Sequence, residues 1–116
     1  NFLNAVPYRE AELPLALDLE LGGNCSARPP AEEVLAEVEA FTNAVEAATG
    51  TEILLYVLDD FNEIYPALDK FERPRWERSI LLRPNGDWLM WQFTFEGKVD
   101  GVEGGVDINL LRDSNT

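Results

Sequence analysis

The hydrophobic pattern switches period several times along the chain, and each switch marks an element. Leu13-Pro14-Leu15-Ala16-Leu17-Asp18-Leu19-Glu20 is an apolar run that ends in two carboxylates and meets Gly22-Gly23. A short apolar run bounded by turn residues predicts a buried strand over 13–20. A loop through Asn24, Cys25 and Arg28 follows, and Pro29-Pro30 opens a helix. Glu32 and Glu33 stand in its first turn, where negative charge suits the helix dipole. Val34, Val38, Phe41, Val45 and Ala48 recur at helical spacing and predict a buried stripe, with Gly50 as its C-cap. Ile53-Leu54-Leu55-Tyr56-Val57 predicts a second buried strand.

Asp60 followed by Glu63 has the spacing of a capping box, and Phe61, Ile64, Leu68 and Phe71 give the next helix an apolar face. Pro66 falls inside that helix and kinks or splits it. A third strand is predicted at Ser79-Ile80-Leu81-Leu82, a turn at Pro84-Asn85-Gly86-Asp87, and an aromatic fourth strand from Trp88 to Phe95. The tail from Gly97 to Thr116 reads mainly as loop, with a short strand at Val106–Ile108. Strand–helix–strand–helix order implies an α/β fold with parallel strands and helices outside. The late strands lack a full helix between them, and no internal repeat or interdomain linker is visible.

The end of the first strand is the place where chemistry shows. Residues i and i+2 on a strand project from one face, so Asp18 and Glu20 aim two carboxylates the same way. Unpaired carboxylates are costly to bury, so stability alone does not select them at the end of an apolar strand. A carboxylate pair at the C-terminal end of a strand is what glycosidic or other acid/base chemistry uses.

Composition narrows the field. The 116 residues suffice for one modest domain. A hydrophobic content of 46% with 27% charged residues is that of globular protein. The formal net charge of −13 argues against nucleic acid and anionic membrane surfaces as partners, because both call for clustered Lys and Arg. No apolar run approaches the roughly 20 residues of a membrane span. With no His and one Cys, Cys25, no Ser-His-Asp or thiol–imidazole site forms within this chain, and a Cys/His zinc site is disfavoured. The chain starts at Asn1-Phe2-Leu3 without a methionine, so a missing leader says little about location.

Several segments together carry a resemblance. They are Leu13–Glu20, Ile53–Val57, Arg73-Pro74-Arg75-Trp76, Trp88-Leu89-Met90-Trp91-Gln92-Phe93-Thr94, and Gly101-Val102-Glu103-Gly104-Gly105-Val106-Asp107-Ile108-Asn109. In order and spacing the chain resembles the glycoside hydrolase family 25 muramidases, lysozymes that cut the bacterial cell-wall glycan. Asp-x-Glu alone is a weak signal. Trp-Gln-aromatic-Thr followed at this spacing by Val-Asp-hydrophobic-Asn is far more specific. The resemblance implies a variant β/α barrel. It also implies that residues 1–116 are the C-terminal half, since the family's earlier Asp-Val-Ser-type and Tyr-His-aromatic segments are not in this sequence. The expected architecture is therefore a partial β/α barrel, completed by a complementary N-terminal fragment or by self-association.

The resemblance also assigns roles. Glu20 becomes the general acid, helped by partly apolar surroundings and a neighbouring carboxylate. Asp18 orients or polarises the N-acetyl group of the substrate. Asp107, Tyr56 and Trp91 are assigned to the sugar site, with Trp76 left open between site and core. Gln92 alternates with Trp91, so on a regular strand one of the two reaches the cleft and the other does not. The acidic stripe from Glu32 to Glu46 is a solvated face, and Asp59-Asp60 reads as a helix cap rather than a metal site. The expected partner is the peptidoglycan glycan strand, at a secreted, periplasmic or cell-wall location, with no cofactor or metal implied. Two alternatives stand beside this reading. One is a catalytically silent glycan-binding or structural half-barrel; the other is an unrelated α/β domain with an incidental carboxylate pair.

Overall fold

The structure, a computed structural model, describes residues 1–23 and 25–113. Asn24 of the expected loop and residues 114–116 of the expected tail lie outside the described residues. A short helix, α1 (Phe2–Ala5), and a 3-10 turn precede β1 (Ala16–Leu19). Then come α2 (Ala31–Thr49), β2 (Leu54–Val57), α3 (Asp59–Ile64), a 3-10 segment (Pro66–Lys70), β3 (Arg75–Arg78), β4 (Met90–Gly97) and β5 (Val106–Leu111). The five strands form one sheet in sequence order. Neighbours from β1 to β4 are parallel, and β5 returns antiparallel to β4. The fold is thus α/β, with the expected parallel strands.

Alternation gives the sheet two unlike faces. Leu19, Leu55 and Val57 point outward and are buried with Val38 and Val45 of α2, Tyr65 and Leu68. That outer layer is the larger part of the core; Leu54 and Met90 are buried on the other face. Gly50 ends α2 in the left-handed region at φ 73°, and its N–H bonds to the Glu46 carbonyl. Glu46 then ties the helix to the sheet. Its carboxylate accepts the Ile53 N–H at 3.0 Å and forms an ion pair with Arg73 at 2.8 Å.

Several expectations shift. β1 covers Ala16–Leu19 rather than 13–20, so Glu20 stands one residue past the strand. Of the predicted α2 stripe, Val38 and Val45 are buried, Val34 and Phe41 are half-buried, and Ala48 is exposed. Thr42 is the buried residue the stripe lacked. Asp60 lies inside α3 rather than capping it. Leu58 holds the cap position with no side-chain bond, and Asp60 accepts the N–H of Phe61 at 2.7 Å. Pro66 splits the second helix: α3 stops at Ile64, which is exposed, and a 3-10 segment begins at Pro66.

The third strand is displaced most. It runs through Arg75–Arg78, while Leu81 and Leu82 are 92% and 75% exposed in the loop beyond. Two polar side chains of β3 find partners outside the strand. Arg75 donates to the Leu68 carbonyl at 2.6 Å, and the Trp76 indole N–H donates to Asn109 Oδ1 at 2.8 Å. β5 is longer than the expected Val106–Ile108 segment. Its hairpin with β4 has two register shifts, and at Gly97 any Cβ would overlap the Ile108 side chain.

Candidate active site on the inner face of the sheet

Cross-strand partners on parallel strands share a face, so the register defines the inner surface row by row. Asp18 pairs with Tyr56, and Tyr56 with Trp76. One step further along the strands, Arg78 of β3 pairs with Gln92 of β4, and Gln92 with Asn109 of β5. Two hydrogen bonds stitch these rows together. The Tyr56 hydroxyl donates to Gln92 Oε1 at 2.6 Å, and the Trp76 indole donates to Asn109 Oδ1 at 2.8 Å. The Tyr56 and Trp76 rings meet edge to face, with centroids 4.9 Å apart. The two rows are therefore cross-linked through their polar groups.

Asp18 and Glu20 stand at one margin of this surface. Both lie close enough to the Tyr56 phenol for their charges to push its pKa up. Burial pushes it up more strongly, and the Arg78 guanidinium beside the phenol pulls it back. The phenol therefore stays a donor at neutral pH. Partial burial also holds the Asp18 carboxyl above its ordinary value. Gly22 lies against Glu20, where a Cβ would come 3.3 Å from Glu20 Oε1. No described residue donates a hydrogen bond to either carboxylate, whereas Tyr56, Trp76, Gln92 and Asn109 are bonded to one another. Among the described residues no group of three or more His, Cys, Asp or Glu is placed to hold a metal ion. No described helix is long and apolar enough to cross a membrane.

The sequence-derived site residues separate as follows. Asp18, Glu20 and Tyr56 come together. Asp107 is exposed near the start of β5, and alternation places it on the same face as Asn109, two residues on. Trp91 does not join them. It pairs with Glu77 and points to the outer face, where its indole N–H donates to the Ser79 carbonyl at 2.8 Å. Trp88 and Phe93 pack on it at 5.8 and 5.7 Å. This aromatic group covers the outer side where no helix separates β3 from β4. Gln92 takes the inward position instead, as the two-residue period requires once Trp91 is turned out. Trp76 faces inward. The sequence reading missed Arg78 and Asn109; the i+2 step from Trp76 would have found the first.

The chain is 32% identical over 114 residues to the uncharacterized protein YegX of Escherichia coli, in both the O157:H7 and K12 strains. That match takes in 95% of this chain and 40% of the relatives, so the chain spans about two fifths of their length. A family 25 glycosyl hydrolase from Bacillus anthracis superposes with a TM-score of 0.77 at 28% identity, over 95% of this chain and 54% of that one. The spore cortex lytic enzyme SleM of Clostridium perfringens superposes with a TM-score of 0.67 at 27% identity, over 86% of this chain and 37% of that one. The fold is a partial β/α barrel, as the shared half of these structures implies. Residues 1–102 match the glycosyl hydrolases family 25, and the chain belongs to that family.

Proposed function

We propose that this chain carries the acid side of an N-acetylmuramidase, which hydrolyses the β-1,4 bond after N-acetylmuramic acid in peptidoglycan. One observation carries the reading. The inner-face amide, indole and phenol groups bond to each other, while Asp18 and Glu20 are left with no hydrogen-bond donor among the described residues. Carboxylates left open on an otherwise satisfied polar surface are available to a substrate.

In the proposed reaction Glu20 gives its proton to the leaving glycosidic oxygen as the C1–O bond breaks. Asp18 holds the acetamido N–H, and the acetamido carbonyl oxygen bonds to C1 from the opposite face. Glu20 then takes a proton from water as the water oxygen displaces the acetamido oxygen at C1. Two displacements retain the anomeric configuration, which is the substrate-assisted variant of glycoside hydrolysis. Tyr56 and Asp107 line the sugar site.

The test is Glu20→Gln in the full-length protein. An amide has no acidic proton to give, so wall clearing falls roughly 100- to 10,000-fold with the fold intact. Clearing at the unsubstituted rate would refute the assignment.

The reading includes a proposal on completeness. β1 is an edge strand, paired on one side by β2, and its free edge presents unbonded main-chain groups. The B. anthracis structure extends well beyond the matched half. We infer that residues 1–116 alone are inactive and that a complementary N-terminal segment, or a second copy, closes the barrel. Light scattering and wall clearing on residues 1–116 check this; a stable monomer that clears walls at the full-length rate would overturn it. The same open edge favours a second reading, a catalytically silent glycan-binding half-barrel. In that case even the full-length protein binds walls without solubilising them.

A further inference from the structure

The geometry points to Arg78 as a specificity-determining residue of this site, one that binds a carboxylate carried by the sugar's acyl or peptide substituent. The inference rests on the muramidase reading and names which substrates that site prefers. Arg78 ends β3 on the inner face, two residues after Trp76 and directly across from Gln92. Its row lies one step beyond Asp18 and Tyr56, at the level the chain reaches at Glu20. Its guanidinium stands beside the Tyr56 phenol and 5.0 Å over the Phe95 ring.

Arg78 is exposed and, among the described residues, has no carboxylate within ion-pair distance. The same holds for most of the chain's basic residues, so what sets Arg78 apart is its place on the inner face beside Tyr56. Arg73 and Arg112 each have an acidic partner, and Arg75 is spent on a main-chain carbonyl. Arg78 hydrogen-bonds the Tyr56 phenol and leans on the Phe95 face, which steadies the planar fork and leaves its remaining N–H donors free. It opens onto a cavity of about 390 Å³ shared with Leu58, Asp59, Asp60, Ser79 and Ile80. The acidic residues there disfavour a loosely held anion, so the ligand must engage the fork directly. A guanidinium fork matches a carboxylate with two parallel hydrogen bonds. In a muramyl glycan such a group is either the free lactyl carboxylate or, where a peptide caps it, a carboxylate of the peptide.

The experiment uses the full-length protein carrying Glu20→Gln, so that ligands bind without being cut. Three glycans are titrated by calorimetry: a muramyl glycan stripped of peptide, the same glycan with its peptides, and a neutral N-acetylglucosamine oligomer. Adding Arg78→Ala is expected to weaken one or both carboxylate-bearing ligands roughly tenfold more than the neutral one. Arg78→Lys should restore part of the loss. The ligand that suffers more identifies the source of the carboxylate. Equal losses on charged and neutral ligands, or no loss, overturn the inference. If the protein without Arg78→Ala binds no muramyl glycan at all, the muramidase reading fails and takes this inference with it. If wall clearing by the unsubstituted protein is intact and Arg78→Ala discriminates nothing, this inference alone is lost.

Discussion

The two faces of the sheet are built from the same strands and do opposite work. Outward, Leu55 and Val57 are buried against α2 and the 3-10 segment, together with Val38, Val45 and Leu68. Inward, the residues between and beside them are Asp18, Tyr56, Trp76, Arg78, Gln92 and Asn109. The outer face gains stability by removing apolar area from water. The inner face does so at Leu54 and Met90, and beyond them holds its polar groups in pairs, with two carboxylates left over. Stability and the proposed chemistry thereby fall largely to alternate residues of the strands.

The sharpest way to break this comparison is to cut into each face in turn. Leu55 has no solvent exposure. Leu55→Ala should lower the unfolding free energy by about 2–5 kcal/mol, measured by urea titration in the full-length protein. Glu20→Gln, on an exposed side chain, should shift it by no more than about 0.5 kcal/mol. If the inner-face change cost more stability than the outer one, the division would be wrong.

A smaller effect is expected where the inner face is paired. Tyr56→Phe removes the hydroxyl that donates to Gln92, and Gln92 is 5% exposed. Leaving that acceptor without a partner should cost about 1–2 kcal/mol. The pH behaviour adds a check. The Tyr56 phenol is raised above its ordinary 10.0, chiefly by burial. Its contribution is fully present below 10.0 and lost only as pH climbs through the higher folded value. A Tyr56→Phe penalty that faded between pH 6 and 8 would contradict this placement.

How far the sequence discloses the two faces depends on what carries each. The outer face is legible because burial leaves a periodic trace: Val38 and Val45 on α2, and Leu55 and Val57 on β2, follow from spacing alone. Asp18 and Glu20 are legible for the opposite reason, since charge at the end of an apolar run breaks the pattern. β3 is misplaced because Arg75-Trp76-Glu77-Arg78 lacks apolar alternation. Arg75 and Trp76 are satisfied by Leu68 and Asn109, and a partner 33 residues away leaves no local signal. Ile80-Leu81-Leu82 has the apolar pattern instead and lies in an exposed loop. Trp91 is misassigned because periodicity fixes that it opposes Gln92 without fixing which of them faces inward. The missing helix between β3 and β4 decides it, because an uncovered outer surface takes the larger aromatic side chain.

The smallest predicted effect tests the two-face division at Asp18 itself. Partial burial raises the folded-state pKa of this carboxyl above 3.8, so the folded protein holds the proton more tightly than the unfolded chain does. For a group raised in this way, the favourable contribution is complete below the unfolded value and disappears as pH rises through the folded one. At neutral pH the charged Asp18 is therefore a small liability to the fold. Asp18→Asn removes the charge and should raise Tm slightly at pH 7. The side chain is largely exposed and water screens most of the penalty, so the gain should be at most about 2 °C. The gain should shrink as the pH falls and vanish below 3.8, where Asp18 is protonated in either state. The same substitution should depress wall clearing, because an amide does not offer the acetamido group a charged partner. Thermal melts from pH 3 to 8, run beside clearing assays, decide the matter. A lower Tm at pH 7, or a gain that grows in acid, would mean that Asp18 stabilises the fold and is not held there for its chemistry.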